Sequence, residues 1–183
     1  MSLLPKPEYY RDPADPDWLA FAAQFHGHLG PWAAAGFRAG ACGRNAISAN
    51  GFFDLDVIVE GPFATPPRSC FLDGIQVSSG ATWGKRNITW NQGDEIIVRI
   101  KNTRTGTRVE SRPTPALLEI LGELRSSAKV VTSEKPEPSD DHEEEHNKAH
   151  VEELARQIAR MPGEQLFQMT ILPSPDAKDS VES

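Results

Sequence analysis

Glu95-Ile96-Ile97-Val98-Arg99-Ile100-Lys101, then Asn102-Thr103-Arg104-Thr105-Gly106, then Thr107-Arg108-Val109-Glu110-Ser111-Arg112 is the stretch that decides the architecture. In its first part Ile96, Val98 and Ile100 share one face, while Ile97, Arg99 and Lys101 share the other, the period-two pattern of a strand. The glycine-ended polar run between the two flanking segments reads as a hairpin loop. A third strand is expected just upstream, over Asn87 to Trp90, so that three antiparallel strands follow one another. Asp54 to Glu60 also has strand character, and Gln165 to Met169 is expected to be an edge strand.

Helices surround these strands. Asp15-Pro16-Asp17 reads as a helix start, and Trp18, Leu19, Phe21, Ala22 and Phe25 follow at helical spacing. Gly27 and Gly30 break that helix, and Pro31 suits the first position of the next, which extends to about Ser48 and is rich in alanine and glycine. Small residues there predict close packing against another element. Asp73 to Ser79 is expected to be a short helix closed by Gly80. Thr114 to Leu124 and His142 to Met161 are expected to be longer ones, the second burying Val151, Leu154, Ala155 and Ile158. The sum is an α+β fold, an antiparallel sheet with helices packed on one side.

The 183 residues suit one domain. We expect a core over residues 1–132, an acidic proline-rich linker over 133–147, a C-terminal helix and edge strand packing back over 148–172, and a disordered tail over 173–183. The net charge of -7 is local: seven acids and one lysine between Glu134 and Glu145 leave the rest near neutral. A near-neutral body does not suggest a nucleic-acid binder. Two cysteines are too few for a disulfide framework and point to a reducing compartment. The first ten residues lack an apolar signal core, and no apolar run reaches about 18 residues, so no membrane contact and a cytoplasmic location are expected.

Side chains able to do chemistry gather in two stretches. One is Phe25-His26-Gly27-His28-Leu29-Gly30-Pro31. The other runs from Ser69-Cys70 through Asp73-Gly74-Ile75-Gln76 to Ser79-Gly80-Ala81-Thr82-Trp83-Gly84-Lys85-Arg86-Asn87. Two imidazoles and a thiolate, if the fold brings them together, make a borderline-soft metal site with a vacant position. The plainer alternatives are a helix-capping and a solvated histidine, and a cysteine serving as a small hydrophobe, a role that Cys42 fits well. Asp73 and Gln76 lie one helical turn apart, as partners for an imidazole, as a general base, or as a cap.

Gly80 to Lys85 misses the spacing of a phosphate loop, having three residues between its glycines where four are required. A looser anion site at Lys85 and Arg86 and a simple tight turn remain the two readings. His142, His146 and His150 recur at i+4 among acids and read as a solvated helix face. The arginines of the hairpin read as solvated strand faces.

Taken together, Phe25-His26-Gly27-His28 with Pro31, Gly36-Phe37-Arg38-Ala39-Gly40, Cys70 with Asp73-Gly74-Ile75-Gln76, Ser79-Gly80-Ala81-Thr82, Gly84-Lys85, Asn87 and the closing Pro162-Gly163-Glu164-Gln165-Leu166-Phe167 resemble the FmdE family, which takes its name from formylmethanofuran dehydrogenase. The resemblance runs from about residue 20 to 125, plus the C-terminal piece. It implies a dimeric α+β domain with a metal, zinc by expectation, at His26, His28 and Cys70. Asp73 and Cys70 would be catalytic, and Thr82, Lys85, Arg86 and Asn87 would receive a small anionic or cofactor-like ligand. It also implies a link to C1 or molybdenum and tungsten enzyme systems. The family's first motif usually has a cysteine before the proline, where this chain has Gly30, and some relatives carry a Cys-rich zinc finger that this chain lacks. Two functional classes follow: a metal-dependent protein acting on or carrying a small ligand, and a non-catalytic accessory or assembly component of a molybdenum or tungsten oxidoreductase.

Overall fold

The structure, a computed structural model, describes residues 3–128 and 141–174. In chain order these form α1 (Asp17–His26), α2 (Pro31–Ala46), β1 (Leu55–Gly61), α3 (Cys70–Ser79), β2 (Ile88–Gln92), β3 (Ile97–Asn102) and β4 (Arg108–Pro113). Then come α4 (Pro115–Ala128), α5 (Asp141–Arg160), the single turn α6 (Gly163–Leu166) and β5 (Phe167–Leu172). The fold is α+β, as expected. The acidic linker is placed differently in part: residues 141–147 are the first turns of α5, while 133–140 lie outside the described residues, as do 175–183 of the expected tail.

The sheet order is β2-β1-β3-β4-β5. β3 and β4 pair antiparallel around the loop expected at 102–106, with Ile100 opposite Val109. The Asn102 side chain shapes that loop by accepting the Arg104 and Thr105 N–H groups. β1 and β5 flank this pair, also antiparallel. The expected run of three successive antiparallel strands is corrected at its first member. β2 lies beyond β1 and runs parallel to it, Val57 opposite Ile88. The reason is α3: a helix between two neighbouring strands returns the chain to the end where it began, and the second strand then runs the same way. The sheet is therefore mixed, though mostly antiparallel.

Alternation assigns the faces. Leu55, Val57 and Val59 of β1 and Val98 and Ile100 of β3 turn to the helices and are buried. The opposite face is polar, and two of its arginines are answered by neighbouring acids. Arg99 bonds Glu60 at 3.1 Å and Glu110 at 2.9 Å, and Arg112 bonds Glu110 at 3.1 Å and Glu95 at 2.6 Å.

The small residues of α2 meet α3. A Cβ on Gly36 would stand 1.9 Å from the Phe71 carbonyl oxygen, and one on Gly74 would stand 2.0 Å from the Ala33 carbonyl oxygen. The two backbones are therefore in contact, which only glycine allows. Arg38 projects from α2 and donates to the carbonyls of Ala159 and Met161, satisfying the otherwise open C-terminus of α5. Asp15 is not a helix cap. It is buried, accepts from the Tyr9 hydroxyl at 2.6 Å, and pairs with Arg156 of α5 at 3.0 Å. These partners hold its carboxyl below the usual range against the opposing effect of burial.

Candidate functional site

Local chain geometry sets the two histidines. α1 runs as far as His26, and Gly27 then takes a left-handed conformation at φ 98°, which turns the chain out of the helix. His28 follows in the elbow, bridged to Glu8, and extended Gly30 leads into Pro31 at the start of α2. α3 begins at Cys70, three residues earlier than the sequence pattern indicates, so Cys70 and Asp73 share its first turn. The α2–α3 contact carries this turn to the elbow.

The meeting point is His26. Its Nδ1–H donates to Asp73 Oδ2 at 2.7 Å, with the imidazole side chain 10% exposed and the carboxylate 38%. The hydrogen bond to Asp73 is the main cause that raises the His26 pKa to about 9. The neighbouring Cys70 thiol adds to the rise, and burial opposes it. The Nε2 atom of the same ring is buried with no hydrogen-bond partner. The Cys70 thiol lies near enough to raise the pKa of the ring, although Nε2 itself has no hydrogen-bond partner.

His28 lies beside it, the ring centroids 4.5 Å apart and tilted by 46°. Although His28 keeps substantial exposure, loss of water around its ring lowers its pKa, and the His26 charge lowers it further. The two neighbouring rings are thereby shifted in opposite directions, His26 toward the cation and His28 toward the neutral form. Glu8 and Lys148, paired with each other at 3.7 Å, act on His28 in opposite senses. The sequence does not mark either as a site residue. They come from far along the chain in both directions, and no local pattern distinguishes them.

The fit to a metal has two sides. An imidazole whose Nδ1–H is held by a carboxylate, with Nε2 left open, is the usual state of a metal-ligating histidine. Against this, among the described residues no three His, Cys, Asp or Glu side chains stand together so as to hold an ion. The donor chemistry fits a metal, whereas the described side chains as they stand do not gather a ligand set. A Cβ on Gly30 would lie 3.1 Å from His28 Nε2.

The remaining sequence candidates lie elsewhere. Thr82, Lys85, Arg86 and Asn87 follow the C-terminal end of α3, about 14 Å along the helix from Cys70. Asn87 is fully occupied there: its Oδ1 accepts the Thr82 N–H at 3.0 Å, and its amide donates to the carbonyls of Phe52 and Leu55. Lys85 Nζ donates to Thr82 Oγ1 at 3.0 Å and lies over the Phe53 ring. Arg86 is exposed with φ 57°. The fold does not bring these four to His26. His146 and His150 are exposed on α5, and the His142 side chain lies outside the described residues.

Residues 25–168 match the family model described as FmdE, molybdenum formylmethanofuran dehydrogenase operon. The chain belongs to the FmdE family. A crystal structure of a tungsten formylmethanofuran dehydrogenase FmdE-like protein from Syntrophus aciditrophicus matches with a TM-score of 0.52 at 16% identity. The match covers 94% of this chain and 82% of that one, and at this identity it speaks for the FmdE fold alone. No curated protein matches the chain. Among the described residues, no helix is long and apolar enough to cross a membrane.

Proposed function

We propose that this FmdE-family protein holds a zinc ion through His26, His28 and Cys70 and receives a small ligand there, in reactions connected with formylmethanofuran dehydrogenase. One observation carries the reading: His26 presents a buried Nε2 without a partner while Asp73 fixes its Nδ1. Asp73 sets the tautomer and the ring plane. His28, disposed to stay neutral, already has the ligating form. His26 must lose its proton to ligate, so an ion competes there with a strongly held proton. Zinc, when bound, supplies Lewis acidity and lowers the pKa of a bound water toward about 7. The expected homodimer belongs to the same proposal, and the outer edge of β5, where Met169 and Ile171 are exposed, is suited to it.

Elemental analysis of the purified chain tests this. About one zinc per chain is expected, lost in both His26→Ala and Cys70→Ala. Zinc-free protein that refuses added zinc overturns the reading, as does zinc retained by both variants. In the accessory alternative, metal-free protein co-purifies with a large oxidoreductase. A second reading has its own support, because a thiol, an imidazole and a carboxylate succeed one another at Cys70, His26 and Asp73, as in nucleophilic thiol catalysis. Stoichiometric alkylation at Cys70 in metal-free protein, abolished by His26→Ala, would favour it.

A further inference from the structure

A cavity of about 630 Å³ opens beside the first turns of α2 and α3, lined by Trp32, Arg68, Ile96, Leu118, Leu121 and Gly122 among others. Its volume falls within the range of sites for small organic ligands, about 300–1,000 Å³. Two of its residues tie it to the histidine–cysteine cluster. Arg68 precedes Cys70 by two positions, and its carbonyl accepts the Phe71 N–H at 3.0 Å. Trp32 lies four residues beyond His28 and meets the Phe71 ring edge-on at 6.5 Å.

The charges in the wall are unequal in what they have left to offer. Arg112 is satisfied by Glu95 and Glu110. Asp94 is exposed, where water and salt screen it. Arg68 is only partly exposed, and its guanidinium has no ion pair or hydrogen bond among the described residues. A guanidinium with an unused fork, set against tryptophan and leucine walls, matches a carboxylate attached to an apolar body.

We infer that this cavity binds an organic carboxylate, anion at Arg68 and apolar body against Trp32, Leu118 and Leu121. The inference deepens the function proposed above, resting on it only for the chemistry done at the neighbouring histidines. It also moves the anion site from Lys85 and Arg86, beyond the far end of α3, to a position near Cys70.

Ligand-observed NMR on the whole chain tests it, with benzoate as probe and benzamide as its neutral counterpart. Benzoate is expected to bind with a Kd of about 1–10 mM and benzamide at least about tenfold more weakly. Arg68→Gln should remove that preference. A Cβ at Gly122 would meet nothing within 4 Å, so Gly122→Phe should fill the cavity without disturbing the fold and abolish binding of both probes. Cys70→Ala should leave benzoate binding intact, which separates failure here from failure of the zinc reading. Equal binding of benzoate and benzamide, or benzoate binding that survives Gly122→Phe, overturns the inference. Phenyl phosphate binding tenfold more tightly than benzoate overturns its assignment to a carboxylate.

Discussion

The two ends of α3 look alike in sequence and differ in what their polar groups have left to do. Beyond the C-terminal end, Thr82, Lys85 and Asn87 spend their donors and acceptors on the loop itself. At the N-terminal end, His26 keeps a buried nitrogen without a partner, and two imidazoles with oppositely shifted pKa values share a site with a thiol. Groups bonded to their own loop in this way maintain structure. An unsaturated buried group is available for chemistry, because an unpaired buried polar atom is costly unless it has another use.

The most severe way to break this contrast removes both ends at once. Gly74→Ala would place a methyl group 2.0 Å from the Ala33 carbonyl oxygen and 2.5 Å from the Phe37 nitrogen, backbone atoms with nowhere to move. The expected loss exceeds about 3 kcal/mol, read by denaturant unfolding. Asn87→Ala should destabilise by about 2 kcal/mol, since it strands one N–H and two carbonyls. It should leave zinc content unchanged. An equal loss of zinc would show that the two ends are coupled after all.

Asp73→Asn sharpens the other side. Zinc affinity should fall by about 10–100-fold, measured by chelator competition, with little change in folding. In metal-free protein the His26 pKa should drop from about 9 toward its ordinary value, followed by NMR titration. The sign for stability follows. The folded state holds this proton more tightly than the unfolded chain does, so the pair stabilises fully below about pH 6.5. That stabilisation is lost as pH rises through about 9, and a melting curve of Asp73→Asn should lack this slope.

Much of this was legible. Alternation at Ile96 to Lys101 and the loop at 102–106 gave β3, β4 and the hairpin between them, and the alanines and glycines of Pro31 to Ser48 announced a close helix contact. The glycine elbow and the family motifs singled out His26, Cys70 and Asp73 as candidates, and of these the structure shows His26 bonded to Asp73 with Cys70 beside them. The neighbour of β2 was hidden, because its own residues do not show which strand it joins; the helix before it does. Arg68 escaped notice because an arginine after two prolines has no pattern. Its meaning comes from Trp32, Leu118 and Leu121, which arrive from distant parts of the chain.

Contact between the α2 and α3 backbones has one more consequence. Because main chain rests on main chain, the gap between the elbow histidines and the thiol does not depend on the volume of any packing side chain. Residues elsewhere in the interior can drift in size over evolutionary time without retuning that gap, so relatives with little shared sequence could still inherit the same spacing.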